Sequence, residues 1–295
     1  MTESIIDAHH HIWRLSEVPW LTDAKVPRIF GEYSALARDY LIEEYLAAAR
    51  AEAVAKSVFV QVNVARGREM DEVAWVQSIG ETYGRPDAIV AYADLFAPDL
   101  ADALDRMSQY DRLRGIRYQL HWHENPQYSY TPRPDLMNDP AWRRGLREVE
   151  KRGLLFELQV FPSQMRDAAR LVSDFPGITF VLLHAGMIQD RSESGWAAWR
   201  AGMREIASRS NVVTKLSGLG TFLRKCSPEL WRPVIKEALG IFGPQRCVFG
   251  SNFPIESLWT SYAEVVAATT AALDDLTQTE RRAVMHDNAA RTYRI

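Results

Sequence analysis

The chain has 295 residues, of which 47% are hydrophobic and 25% are charged, and its formal net charge is −3 at pH 7. This composition is typical of a folded globular protein and argues against disorder. The nearly balanced charge, without a long basic run, argues against a nucleic acid partner. No apolar stretch approaches the roughly 20 residues needed to cross a bilayer. The low cysteine content (Cys226 and Cys247) and the lack of a leader-like start predict a reduced, cytoplasmic protein.

The first predicted element is a strand that ends in histidines. The sequence from Ile5 to Trp13 reads IIDAHHHIW, in which two β-formers precede an acid and three histidines. Because side chains alternate along a strand, we expect His9 and His11 on one side, with Asp7 one step deeper on that side and His10 pointing away. Two imidazoles spaced in this way can bind one cation or polarise one carbonyl group. A remnant of a purification tag is the alternative, but a strand would not be expected before a tag.

The rest of the chain alternates between strand-like and helix-like patterns. After the opening strand, the predicted strands span 56–62, 88–94, 113–118, 154–160, 178–183, 212–216 and 246–249. The predicted helices span 40–53, 69–83, 99–108, 139–152, 163–174, 194–209 and 228–242, and further helices over 260–274 and 279–292 close the chain. Eight β-α units predict an α/β protein with a single (β/α)8 TIM barrel domain over 1–295. An open doubly wound sheet is the alternative, but no Gly-x-Gly-x-x-Gly follows the first strand.

Two long segments without a clear period, 14–38 and 119–136, are predicted as loops over the mouth of the barrel. The active site of such a barrel forms at the C-terminal ends of its strands. Polar residues at or just after the predicted strand ends are His9, His11, Asp94, Arg117, Glu157, His184, Lys215 and Asn252. Glu256 is interpreted as a charge at a helix N-terminus and His286 as a structural residue.

Four residues, two at strand ends and two in the second mouth loop, are predicted to bind substrate. Arg117 suits a substrate carboxylate, because a guanidinium group meets two carboxylate oxygens at once, or it forms a salt bridge at its strand end. Lys215 is either an electrostatic clamp on the substrate or the partner of Glu157 in a buried ion pair. His121 and His123 share a face if their segment is extended, so they are either ligand-binding residues or contacts within the loop.

Several motifs occur in a characteristic order along the chain. They are Asp-x-His-x-His on the first strand, His-x-Gly after the sixth, Lys-Leu-Ser-Gly at the end of the seventh, Phe-Gly-Ser-x-Phe-Pro after the eighth, and Asn-Ala-Ala-Arg-Thr-Tyr-Arg from Asn288. Together they resemble the amidohydrolase superfamily, and within it the branch that contains 2-pyrone-4,6-dicarboxylate lactonase and L-fucono-1,5-lactonase. The resemblance covers the whole chain.

The resemblance implies hydrolysis of a carboxylic ester, the lactone of a small acidic or sugar-derived compound. Water would attack a carbonyl group polarised by His9, His11 and His184. It implies either no required cofactor or one divalent metal such as zinc, held by the same three histidines. Three neutral histidines without a carboxylate make a poorer zinc site than three histidines with one. The implied partner is a small-molecule substrate, with neither nucleic acid nor membrane, and a homo-oligomer is an open alternative.

The sequence departs from the family pattern at Asn252, where the resembling lactonases have an aspartate that takes the proton from water. A carboxamide has no basic site near neutral pH. Three explanations remain open: another base such as Glu157, Asp94 or a histidine, an orienting role for Asn252, or loss of hydrolase activity. The predicted catalytic residues are therefore His9, His11, His184 and Asn252. A metal-dependent decarboxylase or hydratase and a catalytically silent binding protein are the alternative functions.

Overall fold

Eight parallel strands form one sheet in sequence order in the computed structural model, which describes residues 4–295. The strands are β1 (Ile5–His10), β2 (Val54–Val60), β3 (Ala88–Ala91), β4 (Leu113–Gln119), β5 (Leu155–Gln159), β6 (Phe180–Leu182), β7 (Val212–Leu216) and β8 (Cys247–Phe249). The chain after β8 closes the sheet on β1, since Asn252 N donates to His9 O (2.7 Å) and His11 N donates to Phe253 O (2.7 Å). The predicted (β/α)8 barrel is confirmed. Residues 1–3 of the predicted domain lie outside the described part of the chain.

The helices cover the outside of the barrel and one of its ends. They are α1 (Pro19–Thr22), α2 (Ile42–Ala49), α3 (Glu69–Tyr83), α4 (Leu100–Met107), α5 (Pro140–Lys151), α6 (Met165–Asp174), α7 (Glu193–Ala207), α8 (Pro228–Phe242), α9 (Tyr262–Ala271), α10 (Gln278–Arg282) and α11 (Asn288–Tyr293), with a π-helical turn (Ala283–Asp287) before α11. Within residues 4–295, none of these helices combines the length and the apolar character that crossing a membrane requires.

The hydrophobic core has two layers. Between the sheet and the helices lies a large cluster that includes four fully buried tryptophans or tyrosines of the helices: Tyr45, Trp142, Trp199 and Trp231. Inside the barrel, a smaller cluster contains apolar side chains from strands, including Ile6, Val58, Val90, Val181 and Val248. Alternating apolar residues on both faces explain why the strands read as nearly continuous hydrophobic runs.

Helix α11 closes the end of the barrel opposite to the histidines. Tyr293 is fully buried and belongs to the inner cluster. Asn288 donates through Nδ2 to the carbonyl oxygens of Pro244 (2.7 Å) and Cys247 (2.8 Å), the latter being the first residue of β8. The motif that begins at Asn288 therefore holds the last helix under the strand N-termini.

The expected orientation of Asp7 was wrong, because strand β1 contains an irregularity. The register with β2 shifts between Asp7 and His10, so both of these side chains lie on the outer face. Asp7 accepts hydrogen bonds from Tyr45 of α2 and Tyr262 of α9, both at 3.0 Å, and His10 stacks on Tyr45 with ring centroids 3.8 Å apart. A bulge of this kind adds one residue to a strand and turns the next side chain to the other face. It brings His9 inside the barrel, beneath the mouth.

Candidate active site

Three imidazoles meet at the C-terminal end of the barrel. The ring centroid of His9 lies 5.0 Å from that of His11 and 5.0 Å from that of His184. His11 and His184 line a cavity, whereas His9 is fully buried next to them and does not line it. Residues 175 positions apart in sequence thus form one cluster because the first and sixth strands end at the same rim.

His184 is held in place by an unusual backbone turn. His184 (φ 53°), Ala185 (φ 46°), Gly186 (φ 70°) and Met187 (φ 53°) all lie in the left-handed region. Non-glycine residues in this region cost of order 1–3 kcal/mol each and persist where their surroundings hold them. Here Trp199 Nε1 donates to Ala185 O (2.8 Å). His184 Nδ1 lies 2.9 Å from the hydroxyl group of Ser217, the residue after the seventh strand. The turn therefore fixes the direction of the His184 ring.

The histidines of the cluster are neutral near pH 7. Burial lowers the pKa of His11 to about 3, and the positive charge of Arg117 acts in the same direction. Burial is also the largest cause of the lowered pKa of His9 and of His184. His11 Nδ1 lies 2.7 Å from Val60 O, a group that can only accept, so this nitrogen carries the proton and Nε2 has the free lone pair.

The cavity above the histidines has a volume of about 170 Å³. Its apolar wall includes aromatic residues of the two mouth loops, of the end of the first strand segment and of the loop after β7: Trp13, Trp20, Phe30, Tyr130 and Phe222. In residues 4–295, its lining includes Arg28 and Arg117 but contains neither aspartate nor glutamate. The cavity is therefore small, partly aromatic and electropositive.

Two of the four residues predicted to bind substrate line the cavity. Arg117 is buried on β4; its Nη2 donates to Gln61 O (2.5 Å), and its Nε has no protein partner. His121 is buried next to it with an unpartnered Nδ1, and burial together with the charges of Arg117 and Arg28 lowers its pKa to about 3. Both side chains are placed where a ligand could reach them.

The other two predicted substrate contacts do not line the cavity. Lys215 is fully buried below the histidines, where its Nζ lies 2.5 Å from Glu157 Oε1, as in the alternative prediction of a buried ion pair. His123 instead accepts a hydrogen bond from Asn125 N (3.0 Å) and packs against Phe161, so it stabilises its own loop. His121 lines the cavity and His123 does not, so the two histidines do not share a face as an extended segment would predict.

Arg28 is a charged lining residue that sequence reasoning missed. It lies in the mouth loop 14–38, with its guanidinium carbon 5.7 Å from the centre of the Trp20 ring. Its Nε is buried without a protein partner. Gln127 Nε2 of the second loop donates to Arg28 O at 3.0 Å, so the two mouth loops touch at this residue. An arginine between prolines and aromatic residues in a predicted mouth loop was the available signal.

Two of the candidate bases are removed from the cavity. Asp94 is exposed, and its Oδ1 accepts a hydrogen bond from Phe96 N (3.0 Å) in the turn after β3. Glu157 is buried beneath the histidines, where Lys215 and Tyr293 bind its Oε1. Of the bases considered from the sequence, the histidines His11, His121 and His184 remain at the cavity.

Asn252 lines the cavity, and a buried carboxyl group stands behind it. Its φ of 58° lies in the left-handed region, which asparagine adopts more readily than most residues. Asn252 Nδ2 is 3.5 Å from Oε1 of Glu256, whose Oε2 accepts a hydrogen bond from Trp259 Nε1 (2.6 Å). Burial raises the pKa of Glu256 to about 8. The expectation that Glu256 lies at a helix N-terminus is confirmed, because it is in the first turn of a 3-10 helix (Ile255–Leu258), but its carboxyl group is mostly neutral at pH 7.

The residues of the cluster do not fit a divalent metal. In residues 4–295, no group of three or more His, Cys, Asp or Glu side chains is arranged to hold one. A metal-binding histidine usually donates its other N–H to an acceptor such as a carboxylate or carbonyl. The second nitrogen of His9 instead faces the ammonium group of Lys215 at 3.2 Å. Arg117 adds a further positive charge next to the cluster, which disfavours a dication.

The (β/α)8 barrel and the histidines at the ends of its first and sixth strands are typical of a barrel enzyme with its site at the C-terminal ends of the strands. Comparison with known proteins gives the family. The family model described as Amidohydrolase matches residues 6–295, so the chain belongs to the amidohydrolase family. It is therefore an enzyme, a hydrolase of this family. An uncharacterised protein of Sinorhizobium fredii is 37% identical over 294 residues, which cover 99% of both chains.

Two further relatives carry information about activity and ligands. An L-fucono-1,5-lactonase of Burkholderia multivorans is 32% identical over 305 residues, covering 98% of this chain and 96% of the relative. A crystal structure of an amidohydrolase from the same species, described with bound zinc, has a TM-score of 0.82 at 30% identity and covers 99% of both chains. The zinc belongs to that protein, and the site of this chain differs from a metal site as described above.

Proposed function

We propose that the protein hydrolyses the ring ester of a small lactone that carries a carboxylate group. One observation carries this proposal: neutral imidazoles border a small cavity that has two arginines and, among residues 4–295, no acidic side chain. Neutral imidazoles can exchange protons with a reacting ester, and arginines bind carboxylates. The similarity to an L-fucono-1,5-lactonase supports the reaction type.

The two arginines are proposed to bind the carboxylate of the substrate. Arg117 and Arg28 each have a buried Nε without a protein partner. A buried donor without an acceptor is costly, and a carboxylate would supply that acceptor. The charges of both guanidinium groups lower the pKa of His121, so both arginines lie near this side chain. This pattern favours an acidic lactone over a neutral one derived from a sugar.

In the proposed reaction, a water oxygen attacks the lactone carbonyl carbon while His11 Nε2 accepts one of the water protons. His184 and His9 stabilise the negative charge that forms on the carbonyl oxygen. Collapse of the tetrahedral intermediate breaks the bond between this carbon and the ring oxygen. The ring oxygen then takes the proton from His11, so the product is an open hydroxy acid. Asn252 orients the water, which a carboxamide can do without acting as a base.

The affinity of His11 for a proton changes during this cycle. In the free protein its pKa is near 3, so the lone pair is available throughout the neutral pH range. Negative charge on the intermediate would raise that pKa, because an opposite charge nearby favours the protonated imidazole. The base is thus unprotonated before the attack and becomes stronger as the attack proceeds.

A panel of lactones with and without a carboxylate group, assayed by pH-stat after purification with a chelator, tests the proposal. We expect turnover of carboxylated lactones and little turnover of neutral ones of the same ring size. His184→Ala is the inactive control. Ligand-dependent thermal shifts without any turnover would instead indicate a silent binding protein. Turnover that appears only after a divalent metal is added would indicate a metal-dependent enzyme.

A further inference from the structure

A chain of buried polar groups runs from the last helix to the histidine cluster. Tyr293 OH donates to Glu157 Oε1 (2.7 Å), and the same oxygen accepts a hydrogen bond from Lys215 Nζ (2.5 Å). Lys215 Nζ also lies 3.2 Å from His9 Nδ1. All four side chains are fully buried. The chain therefore connects α11, β5, β7 and β1 through the inside of the barrel.

We propose that Lys215, held by Glu157 and Tyr293, fixes His9 as the tautomer that carries its proton on Nε2. An ammonium group has three donors and no acceptor, so the nitrogen that faces it must accept. A neutral imidazole has one proton, and it must then be on the other nitrogen. The contact with the Glu157 carboxylate keeps Lys215 protonated near pH 7, against burial, which lowers its pKa to about 8.

The neighbouring histidine has the opposite tautomer. His11 donates from Nδ1 to Val60 O, so its Nε2 has a lone pair, whereas Nε2 of His9 carries a hydrogen. The cluster therefore holds one fixed acceptor and one fixed donor with ring centroids 5.0 Å apart. The peptide carbonyl of Val60 makes His11 the acceptor, and Lys215 makes His9 the donor.

Among residues 4–295 the buried His9 Nε2 has no hydrogen-bond partner, so its hydrogen is free to bind an oxygen atom that reaches the histidine cluster. The catalytic meaning of this donor rests on the proposed lactone hydrolysis, in which it would stabilise the developing oxyanion. Lys215, Glu157 and Tyr293 act through His9 and are positioning residues. A buried ion pair is a poor source of net stability, so a positioning role explains its presence at this site.

The tautomer can be measured directly in the unmodified protein. We expect two-bond ¹⁵N–¹H correlation spectra of histidine-labelled protein at pH 7 to show an unprotonated Nδ1 and a protonated Nε2 for His9. His11 should show the reverse. A proton on Nδ1 of His9, or on both nitrogens, would overturn the proposal. Because no substrate is needed, the result is independent of whether the protein hydrolyses lactones.

A double variant tests whether Lys215 sets the tautomer of His9. Lys215→Glu combined with Glu157→Lys reverses the buried ion pair and places a carboxylate, which accepts but does not donate, next to His9 Nδ1. We expect His9 to change to the Nδ1 tautomer, and affinity for zinc, measured by calorimetry, to rise at least tenfold. Lys225→Gln, at an exposed lysine, is the control and should change neither. An unchanged His9 tautomer in the folded double variant would show that Lys215 does not set it.

Discussion

The position of a single glycine shows how closely the histidine cluster is built. Gly218 has a φ of +60°, and a Cβ atom placed on it would lie 2.5 Å from Nδ1 of His184. No side chain other than hydrogen fits against this ring without moving it. The Gly that follows Lys-Leu-Ser in the seventh-strand motif is therefore required by contact with a histidine 34 positions earlier in the sequence.

We predict that Gly218→Ala lowers kcat/KM on any lactone that the protein turns over by at least tenfold, because the His184 ring must shift. It should also lower the free energy of unfolding by about 1–3 kcal/mol, the range for strained backbone and forced contacts. Gly240→Ala in α8 is the matched control, since a Cβ there meets nothing within 4 Å. Full activity of Gly218→Ala would show that the position of His184 does not matter for the reaction.

Asn252 gives a second prediction for a single residue. We expect Asn252→Asp to retain or raise lactone hydrolysis, because a carboxylate there can take a proton that the carboxamide cannot. Glu256 is neutral at pH 7 and 3.5 Å away, so it does not repel the new charge. His184→Ala, measured in the same initial-rate assay, should abolish activity. Complete loss of activity in Asn252→Asp would show that the amide has a direct role.

Sequence reasoning predicted which histidines could matter, but not how they are oriented. Alternation placed His9 and His11 together because both follow the same strand. It placed Asp7 with them incorrectly, since the bulge after Asp7 depends on tertiary contacts with Tyr45 and Tyr262. The tautomers of the histidines depend on partners from β2 and β7, and local sequence carries no signal for such contacts.

Among the structural elements, the two mouth loops decide what the cavity accepts. They contact each other where Gln127 donates to Arg28 O (3.0 Å). Gly31 packs against the side chain of Arg224 in the loop after β7, where a Cβ would lie 2.4 Å from its guanidinium carbon. The first mouth loop is thus fixed on both sides, and Arg28 is presented to the cavity by a loop with defined contacts.

We predict that Arg28→Ala raises KM for a carboxylated lactone tenfold or more and changes kcat less, because the guanidinium group binds the substrate away from the reacting carbon. One lost hydrogen bond to a charged group corresponds to about 1.5–3 kcal/mol. Steady-state kinetics on paired substrates, with and without the carboxylate, is the measurement. Arg50→Ala, at an exposed arginine after α2, is the control. An equal rise in KM for the neutral lactone would contradict carboxylate binding by Arg28.

The order of the elements could be predicted from the sequence, whereas the exact ends and the loop contacts could not. Eight apolar runs alternating with helical periods allow few architectures. The predicted strand 88–94 ends at Ala91 in the structure, because Asp94 starts a turn by accepting from Phe96 N. Loops without a period, such as the one that carries Arg28, are shaped by contacts with other loops.

For the whole molecule, buried ionisable groups determine how stability depends on pH. Burial lowers the pKa of five histidines: His9, His10, His11, His121 and His184. A lowered histidine pKa means that the unfolded chain binds more protons, so stability rises with pH until the unfolded imidazoles, whose pKa is about 6.5, have lost their protons near pH 8. Burial raises the pKa of Glu72 to about 7 and that of Glu256 to about 8. For these carboxyls the native state binds more protons, so their stabilising contribution is lost as the pH rises from about 4.5 to 8.

We therefore predict that the free energy of unfolding, measured with denaturant, changes by less than about 1 kcal/mol between pH 6.5 and 8, because the two carboxyls lose roughly 2 kcal/mol over this range and the five histidines gain nearly as much. Glu256→Gln should make the free energy of unfolding rise by roughly 1 kcal/mol over the same range, because the carboxamide cannot ionise and the gain from the histidines is then less offset. Glu205→Gln, at an exposed glutamate on α7, is the control and should leave the curve unchanged. If the curve of Glu256→Gln matched that of the unmodified protein, Glu256 would be ionised at pH 6.5 already, and a charged group would stand directly behind Asn252. A carboxylate introduced at position 252 would then be repelled, so this curve also tests the basis of the Asn252→Asp prediction.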